Sequence, residues 1–183
     1  MKLVHLNSVK KLPRLVFVLG GAASGKSEFA EKLTRASDLT PIYVATGRVW
    51  DDEQKKRVGI HQSRRDAAWQ TVEAPVELAA VVAAGQPNQA LLVDCATMWL
   101  TNLRMDDLPI PPALETLLEA LAKSAAPIVI VSNEVGQGIV PENAMARAFR
   151  EHQGRCNIAL ADQADVVVHV VAGLPMLLKG ELG

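Results

Sequence analysis

Aromatic residues are scarce: three Trp, one Tyr and three Phe in 183 residues. No aromatic-lined groove therefore marks the place of a large ligand, and core packing accounts for Trp50, Trp69 and Trp99 as well as stacking does. Charge of one sign is missing too. Nineteen Lys+Arg stand against 20 Asp+Glu, a formal net charge of −1, so no strong pull toward nucleic acid or an anionic membrane is built in. Cysteine is nearly absent. Cys95 and Cys156 have no CxxC spacing, which argues against a disulfide framework or a zinc cluster and suits a reducing cytoplasm. No apolar run approaches the ~18 residues that a membrane span needs, and the opening MKLVHLNSVKKLPR lacks the apolar stretch of a signal peptide. With 12 Gly and 10 Pro, 49% hydrophobic and 21% charged residues, the composition is that of a folded globular chain.

What is present is alternation. Short Val/Ile/Leu runs at Leu15 to Leu19, Ile42 to Thr46, Leu91 to Cys95, Ile128 to Ser132 and Val166 to Val171 read as buried parallel strands, with a further strand or edge hairpin at Trp69 to Glu73. Between them, Glu28 to Arg35, Asp51 to Arg65, Val76 to Ala84, Ala113 to Lys123 and Glu142 to Ala161 favour helix. Met105 to Pro112, with two Asp and three Pro, reads as a surface loop. Repeated βα units predict one α/β domain over residues 15–183, a mostly parallel sheet with helices on both faces and a ligand site at the strand C-terminal ends, after an extension over residues 1–14.

Directly after the first strand, Gly20-Gly21-Ala22-Ala23-Ser24-Gly25-Lys26-Ser27 satisfies GxxxxGK[ST] in the strand-to-helix context which that motif requires. It makes the predicted fold a P-loop NTPase-type, RecA-like sheet. Backbone amides of such a loop cradle phosphates, Lys26 reaches the β- and γ-phosphates, and Ser27 ligates Mg²⁺. Asp94 in LLVDC, expected at the tip of a neighbouring strand, has two readings: a carboxylate holding the metal's water shell, or the N-cap of a helix beginning near Thr97. These residues point to ATP or GTP with Mg²⁺, but name no reaction.

Of four histidines, His5 lies in the extension, His152 on a polar helix face and His169 in an apolar strand. His61 shares a helical face with Arg57, Arg64 and Arg65. Those cations would keep the imidazole neutral and nucleophilic and stabilise charge on a phosphorus under attack, although the same pattern also fits a solvated basic face.

Taken together, the chain resembles the bifunctional adenosylcobinamide kinase / adenosylcobinamide-phosphate guanylyltransferase family of cobalamin assembly. The resemblance runs from about Leu15 to about Val171. It is carried by GGAASGKS at Gly20 to Ser27, YVATGRVWDDE at Tyr43 to Glu53, RVGIHQSRR at Arg57 to Arg65, WQTVEAP at Trp69 to Pro75, LLVDCATMWLTNL at Leu91 to Leu103 and VSNEVGQGIVPEN at Val131 to Asn143. It implies phosphorylation of adenosylcobinamide by ATP or GTP, then GMP transfer from GTP through a GMP-histidine to give adenosylcobinamide-GDP and pyrophosphate. His61, alone in the segment after the acidic run, is the histidine so implied. The resemblance also implies nucleotide contacts at Thr46, Gly47 and Arg48, expected beside the phosphate loop, and a base-recognising carboxylate at Glu73, whose two oxygens suit guanine N1–H and the 2-amino group. Asn133 and Glu134 are substrate or metal contacts without an assigned role. A homotrimer is implied as well. The rival readings are a P-loop small-molecule kinase without guanylyltransferase activity, a nucleotide-controlled scaffold or DNA-associated ATPase, which the near-neutral charge disfavours, and a guanylyltransferase that has lost kinase activity, against which the intact Lys26-Ser27 pair stands.

Overall fold

The computed structural model describes residues 2–3, 11–48 and 66–182. Eight strands form one sheet: β1 (Lys2–Leu3), β2 (Leu15–Gly20), β3 (Thr40–Ala45), β4 (Gln70–Glu73), β5 (Gln89–Asp94), β6 (Ile128–Asn133), β7 (Val166–Val171) and β8 (Leu174–Lys179). Their order is β1-β8-β7-β2-β6-β5-β3-β4. From β7 to β4 every pairing is parallel. β2, flanked by β7 and β6, is buried along almost its whole length, the pattern of a strand covered on both faces. The helices are α1 (Lys26–Arg35), α2 (Leu78–Ala83), α3 (Ala96–Met105), α4 (Ile110–Lys123) and α5 (Ala144–Gln163).

Period-two alternation divides the sheet residues between two cores. Phe29, Ala30 and Leu33 of α1 cover Val16, Val18, Leu92, Val129, Val131 and Val168 on one face. The opposite face, with Leu15, Phe17, Leu91, Val93, Ile128 and Ile130, is covered by Leu78, Trp99, Leu100, Leu117, Leu121, Cys156 and Leu160 from α2 to α5. The predicted sheet with helices on both faces is therefore present.

Several expectations need correction. The sequence anticipates α3 only through one reading of Asp94, as the cap of a helix beginning near Thr97; ATMWLTNLRM itself combines strong helix formers (Ala, Met, Leu, Arg) with Thr, Trp and Asn of modest propensity. It is helical because Trp99, Leu100 and Leu103 are nearly fully buried there and Trp99 Nε1 donates to Val76 O at 2.9 Å. With Cys95 at its N-cap, the helix-capping reading of Asp94 falls. The loop expected over Met105 to Pro112 shrinks to residues 106–109, since Pro111 and Pro112 sit in the first turn of α4, where their missing N–H groups have no helical partner to lose. The chain also does not end on a parallel strand. β7 turns back into β8 through Ala172 and Gly173, both at positive φ (50° and 78°), the conformation that a tight two-residue hairpin turn requires. β1, within the stretch expected to be an extension, pairs antiparallel with β8. The helix predicted over Asp51 to Arg65 lies outside the described residues.

Candidate active site

The phosphate loop leaves β2 at Gly20 and enters α1 at Lys26. A Cβ on Gly20 would stand 2.5 Å from Ser24 Oγ and 2.6 Å from Val170 O, so only glycine lets the loop curl back over the strand end. Gly25, at φ 90°, precedes the helix, and a Cβ there would press on Gly173 Cα at 3.2 Å. The β7–β8 turn thus buttresses the loop directly, and Gly173 N donates to Ser24 O at 2.8 Å. Sequence reasoning missed this turn, because Ala172 at positive φ is not one of the residues that mark a two-residue hairpin, and only Gly173 between two apolar runs hints at a break.

Lys26 is buried, and its ammonium donates to Gly21 O at 3.0 Å across the loop. Burial holds its pKa below the ordinary lysine value, and the nearby Cys95 and Asp94 partly offset that effect. An ammonium with few solvent partners, folded over a loop of small residues, is prepared to exchange them for phosphate oxygens. Ser24 Oγ is buried and has no hydrogen-bond partner among the described residues, a donor that a phosphate oxygen would satisfy. Ser27 follows Lys26 on α1, half-buried. Beside the loop, Gly21 to Ser24, Glu134, Gln137 and His169 to Ala172 line a cavity of about 450 Å³, within the range of small-molecule sites. His169 is therefore half-buried at a cavity wall rather than deep in a core. His152, expected on a polar face, has its Nδ1 buried without a partner among the described residues.

Asp94 ends β5, but β6 lies between β5 and the phosphate-loop strand, so its strand is not the neighbour expected. Asp94 still acts electrostatically on Lys26, because adjacent strand ends converge on one edge of the sheet. Tyr43 Oη donates to Asp94 Oδ2 at 3.3 Å. After it comes Cys95, whose thiol is pushed up to about 12 by burial first and Asp94 next, so it stays protonated and unreactive at neutral pH.

Thr46, Gly47 and Arg48 were also expected beside the phosphate loop. Two strands, β6 and β5, separate β3 from β2. The Thr46 hydroxyl is buried and brackets Cys95, accepting from its N–H at 2.7 Å and donating to its carbonyl at 2.8 Å. Gly47 is exposed, and Arg48 pairs with Asp106 at 2.5 Å. Glu73 is exposed at the end of edge strand β4, four strand spacings or about 19 Å from β2. His61, Arg64 and Arg65 lie outside the described residues. Among the described residues, no group of three or more His, Cys, Asp or Glu side chains could hold a metal by itself. A metal here would depend on the phosphates for most of its ligands.

Solved structures share the architecture at low identity. The RadB recombinase aligns over 86% of this chain and 74% of its own, with TM-score 0.52 and 15% identity. A prototypical ATPase from the type III secretion system of pathogenic bacteria aligns over 90% of this chain and 53% of its own, with TM-score 0.56 and 10% identity. They establish the P-loop NTPase fold. Sequence comparison goes further. The chain is 43% identical over 167 residues, 90% of this chain and 96% of the relative, to the bifunctional adenosylcobalamin biosynthesis protein CobP of Pseudomonas aeruginosa. It is 36% identical over 181 residues, 90% and 99%, to the bifunctional adenosylcobalamin biosynthesis protein CobU of Escherichia coli. A family model described as cobinamide kinase / cobinamide phosphate guanyltransferase matches residues 16–178, and the chain belongs to that family.

Proposed function

We propose that this chain carries out both reactions of its family at the edge of the sheet occupied by the phosphate loop. In the first, the hydroxyl oxygen of the aminopropanol arm of adenosylcobinamide attacks the γ-phosphorus of ATP or GTP. The new O–P bond forms as the bond to the β-phosphate oxygen breaks, the nucleoside diphosphate leaves, and the hydroxyl proton passes to solvent. In the second, a His61 ring nitrogen attacks the α-phosphorus of GTP and pyrophosphate leaves. The phosphate of adenosylcobinamide phosphate then attacks the phosphorus of GMP-histidine, regenerating imidazole and giving adenosylcobinamide-GDP. The observation that carries this reading is the family match across residues 16–178 on a chain whose phosphate loop is fully formed, with Lys26 folded over it.

In this reading Gly20, Gly21, Ala22, Ala23, Ser24 and Gly25 cradle the phosphates with backbone N–H groups. Lys26 neutralises charge on the β- and γ-phosphates as it develops. Arg64 and Arg65 attract the triphosphate. Gly47 and Arg48 contact the nucleotide from the β3 end, Thr46 holds that end in place through Cys95, and Glu73 reads guanine. The hard oxygen donors available, the Ser27 hydroxyl and the Asp94 carboxylate, fit Mg²⁺ with most of its shell supplied by water and phosphate. When bound, Mg²⁺ would neutralise phosphate charge there. The functional unit is a homotrimer in the cytoplasm. Light scattering should give three times the 19.7 kDa chain mass. Among the described residues no helix is long and apolar enough to cross a membrane.

Incubation with GTP labelled at the α-phosphate tests the covalent step. Label that survives alkali, is lost in acid and is absent from His61→Ala is the expected result. GTP-binding protein that takes no label, while still phosphorylating adenosylcobinamide, overturns it in favour of a kinase alone.

A further inference from the structure

The segment joining β6 to α5 displays apolar side chains that nothing among the described residues covers. Ile139 is 96% exposed, Val140 67% and Met145 60%. Single exposed apolar residues are ordinary, but a contiguous group marks a contact site. Its backbone is also held in place. Arg150 donates to Gly136 O, to Ile139 O at 3.0 Å and to Gly138 O at 3.3 Å. One turn earlier on α5, Arg147 donates to Pro141 O at 2.9 Å and Glu142 O at 2.5 Å. At its two ends, Glu134 Oε1 accepts from Gly136 N at 2.7 Å, and Asn143 Oδ1 caps α5 through Met145 N at 2.8 Å. Two arginines thus fix a loop whose apolar residues face water. Ordering a loop costs conformational entropy, and here the ordering brings no apolar burial in return. A ligand that meets the prearranged surface would avoid that entropy cost on binding.

The place of the loop identifies its occupant. Glu134 N donates to Gly20 O at 3.0 Å, which ties the loop to the end of the phosphate-loop strand, and Glu134 and Gln137 line the cavity beside Gly21 to Ser24. A body resting on Ile139 and Val140, two and three residues beyond the cavity-lining Gln137, would therefore adjoin the cavity beside the phosphate loop. The acceptor in the proposed reaction is a corrinoid macrocycle, far larger than a 450 Å³ cavity. Only its hydroxyl-bearing arm fits at the phosphates, so its body must lie on the adjoining surface. A corrin ring has methyl-bearing apolar flanks and primary-amide arms. Exposed Ile139 and Val140 complement the first, and the exposed Gln137 amide, a donor and an acceptor together, complements the second. A second copy of the chain is a poorer occupant, because it would cover the surface beside the cavity that the acceptor must reach.

We infer that the loop from Gly136 to Pro141 is the docking platform for the corrinoid body of the acceptor, with Ile139 and Val140 as its apolar contacts and Gln137 as its amide contact. This inference rests on the function proposed above. Ile139→Asp/Val140→Asp is the informative variant, since both side chains are exposed and the arginine straps bind only backbone oxygens. Cobinamide binding by equilibrium dialysis, the KM for cobinamide in phosphorylation, GMP labelling of the enzyme in the absence of corrinoid, and solution mass would be measured in parallel. Expected are a rise of about tenfold or more in cobinamide Kd and KM, with labelling and mass unchanged. Cobinamide Kd and KM equal to wild type overturn the platform alone. A fall in mass together with loss of labelling overturns it in favour of an interface between copies. Wild-type protein that neither binds nor phosphorylates cobinamide overturns the proposed function, and the platform with it.

Discussion

At Lys26 function and stability pull in opposite directions. Burial disfavours the ammonium and lowers its pKa, so in the window between the lowered value and the ordinary 10.5 the unfolded chain binds more protons than the folded one. Stability then rises as pH rises through that window, and below it the full cost of the buried charge is present. Lys26→Met should therefore melt at or above the wild-type temperature at pH 7, with the difference shrinking toward pH 10, as calorimetry without nucleotide would record. The same variant should lose at least about a hundredfold in phosphoryl transfer, the scale of removing a charge-stabilising donor. The two cysteines make a separate residue-scale case. Both are free and buried, with thiols pushed up to about 12, Cys156 by its burial. A thiol reagent at pH 8 should titrate neither in the folded protein and both after denaturation. A fast-reacting equivalent in the native state would contradict the burial of these side chains.

At the scale of elements, the β7–β8 turn is the part of the site with no counterpart in the phosphate-loop motif. Gly173 at φ 78° donates to Ser24 O and stands against Gly25. Gly173→Val forces a β-branched residue into the left-handed region, at a cost of roughly 1–2 kcal/mol. It should also weaken nucleotide binding beyond what the stability loss explains, which titration with a slowly hydrolysed analogue well below the melting temperature would reveal. Unchanged affinity would make the turn a bystander. In α3, Trp99 is held by packing and by its bond to Val76 O. Trp99→Phe should destabilise the fold by about 1–3 kcal/mol in denaturant titration, since the substitution leaves a void and an unpaired carbonyl. GMP labelling of the surviving folded protein should be unaffected.

For the whole molecule, the order β7-β2-β6-β5-β3-β4 spreads the chemistry along one edge. The phosphate loop and its cavity lie toward β7, Asp94 at β5, Thr46 and Arg48 at β3 and Glu73 at β4. In the proposed reading, a nucleotide whose phosphates lie on the loop would span several strand ends before its base reached Glu73, which would make phosphate binding and base selection separate contacts. Glu73→Gln should therefore reduce GTP-dependent labelling about tenfold or more, through loss of a paired carboxylate contact, while pyrophosphate affinity stays constant. If pyrophosphate affinity falls as well, Glu73 acts through the fold.

Much of this was legible in the residues. Runs of Val, Ile and Leu identify strands buried on both faces because nothing else tolerates an uninterrupted apolar stretch of that length, and the core strands stand within a residue or two of where the runs place them. The phosphate loop is equally local, since its glycines, lysine and serine act within eight consecutive positions and their spacing alone specifies the turn. What the sequence could not determine depends on contacts between distant segments. The place of helix α3 is set by Trp99 and Leu100 finding a core, since its own propensities are mixed. Which strand lies between β2 and β5 is decided by long-range pairing energies that leave no periodic trace in the chain. The support of Ser24 by Gly173, far along the chain, and the strapping of the exposed 136–141 loop by Arg147 and Arg150 are likewise tertiary. Local covalent order determined the strands and the anion-binding turn, and only the packed structure decided which side chains converge on them, because convergence is set by the sheet order and not by neighbours in sequence.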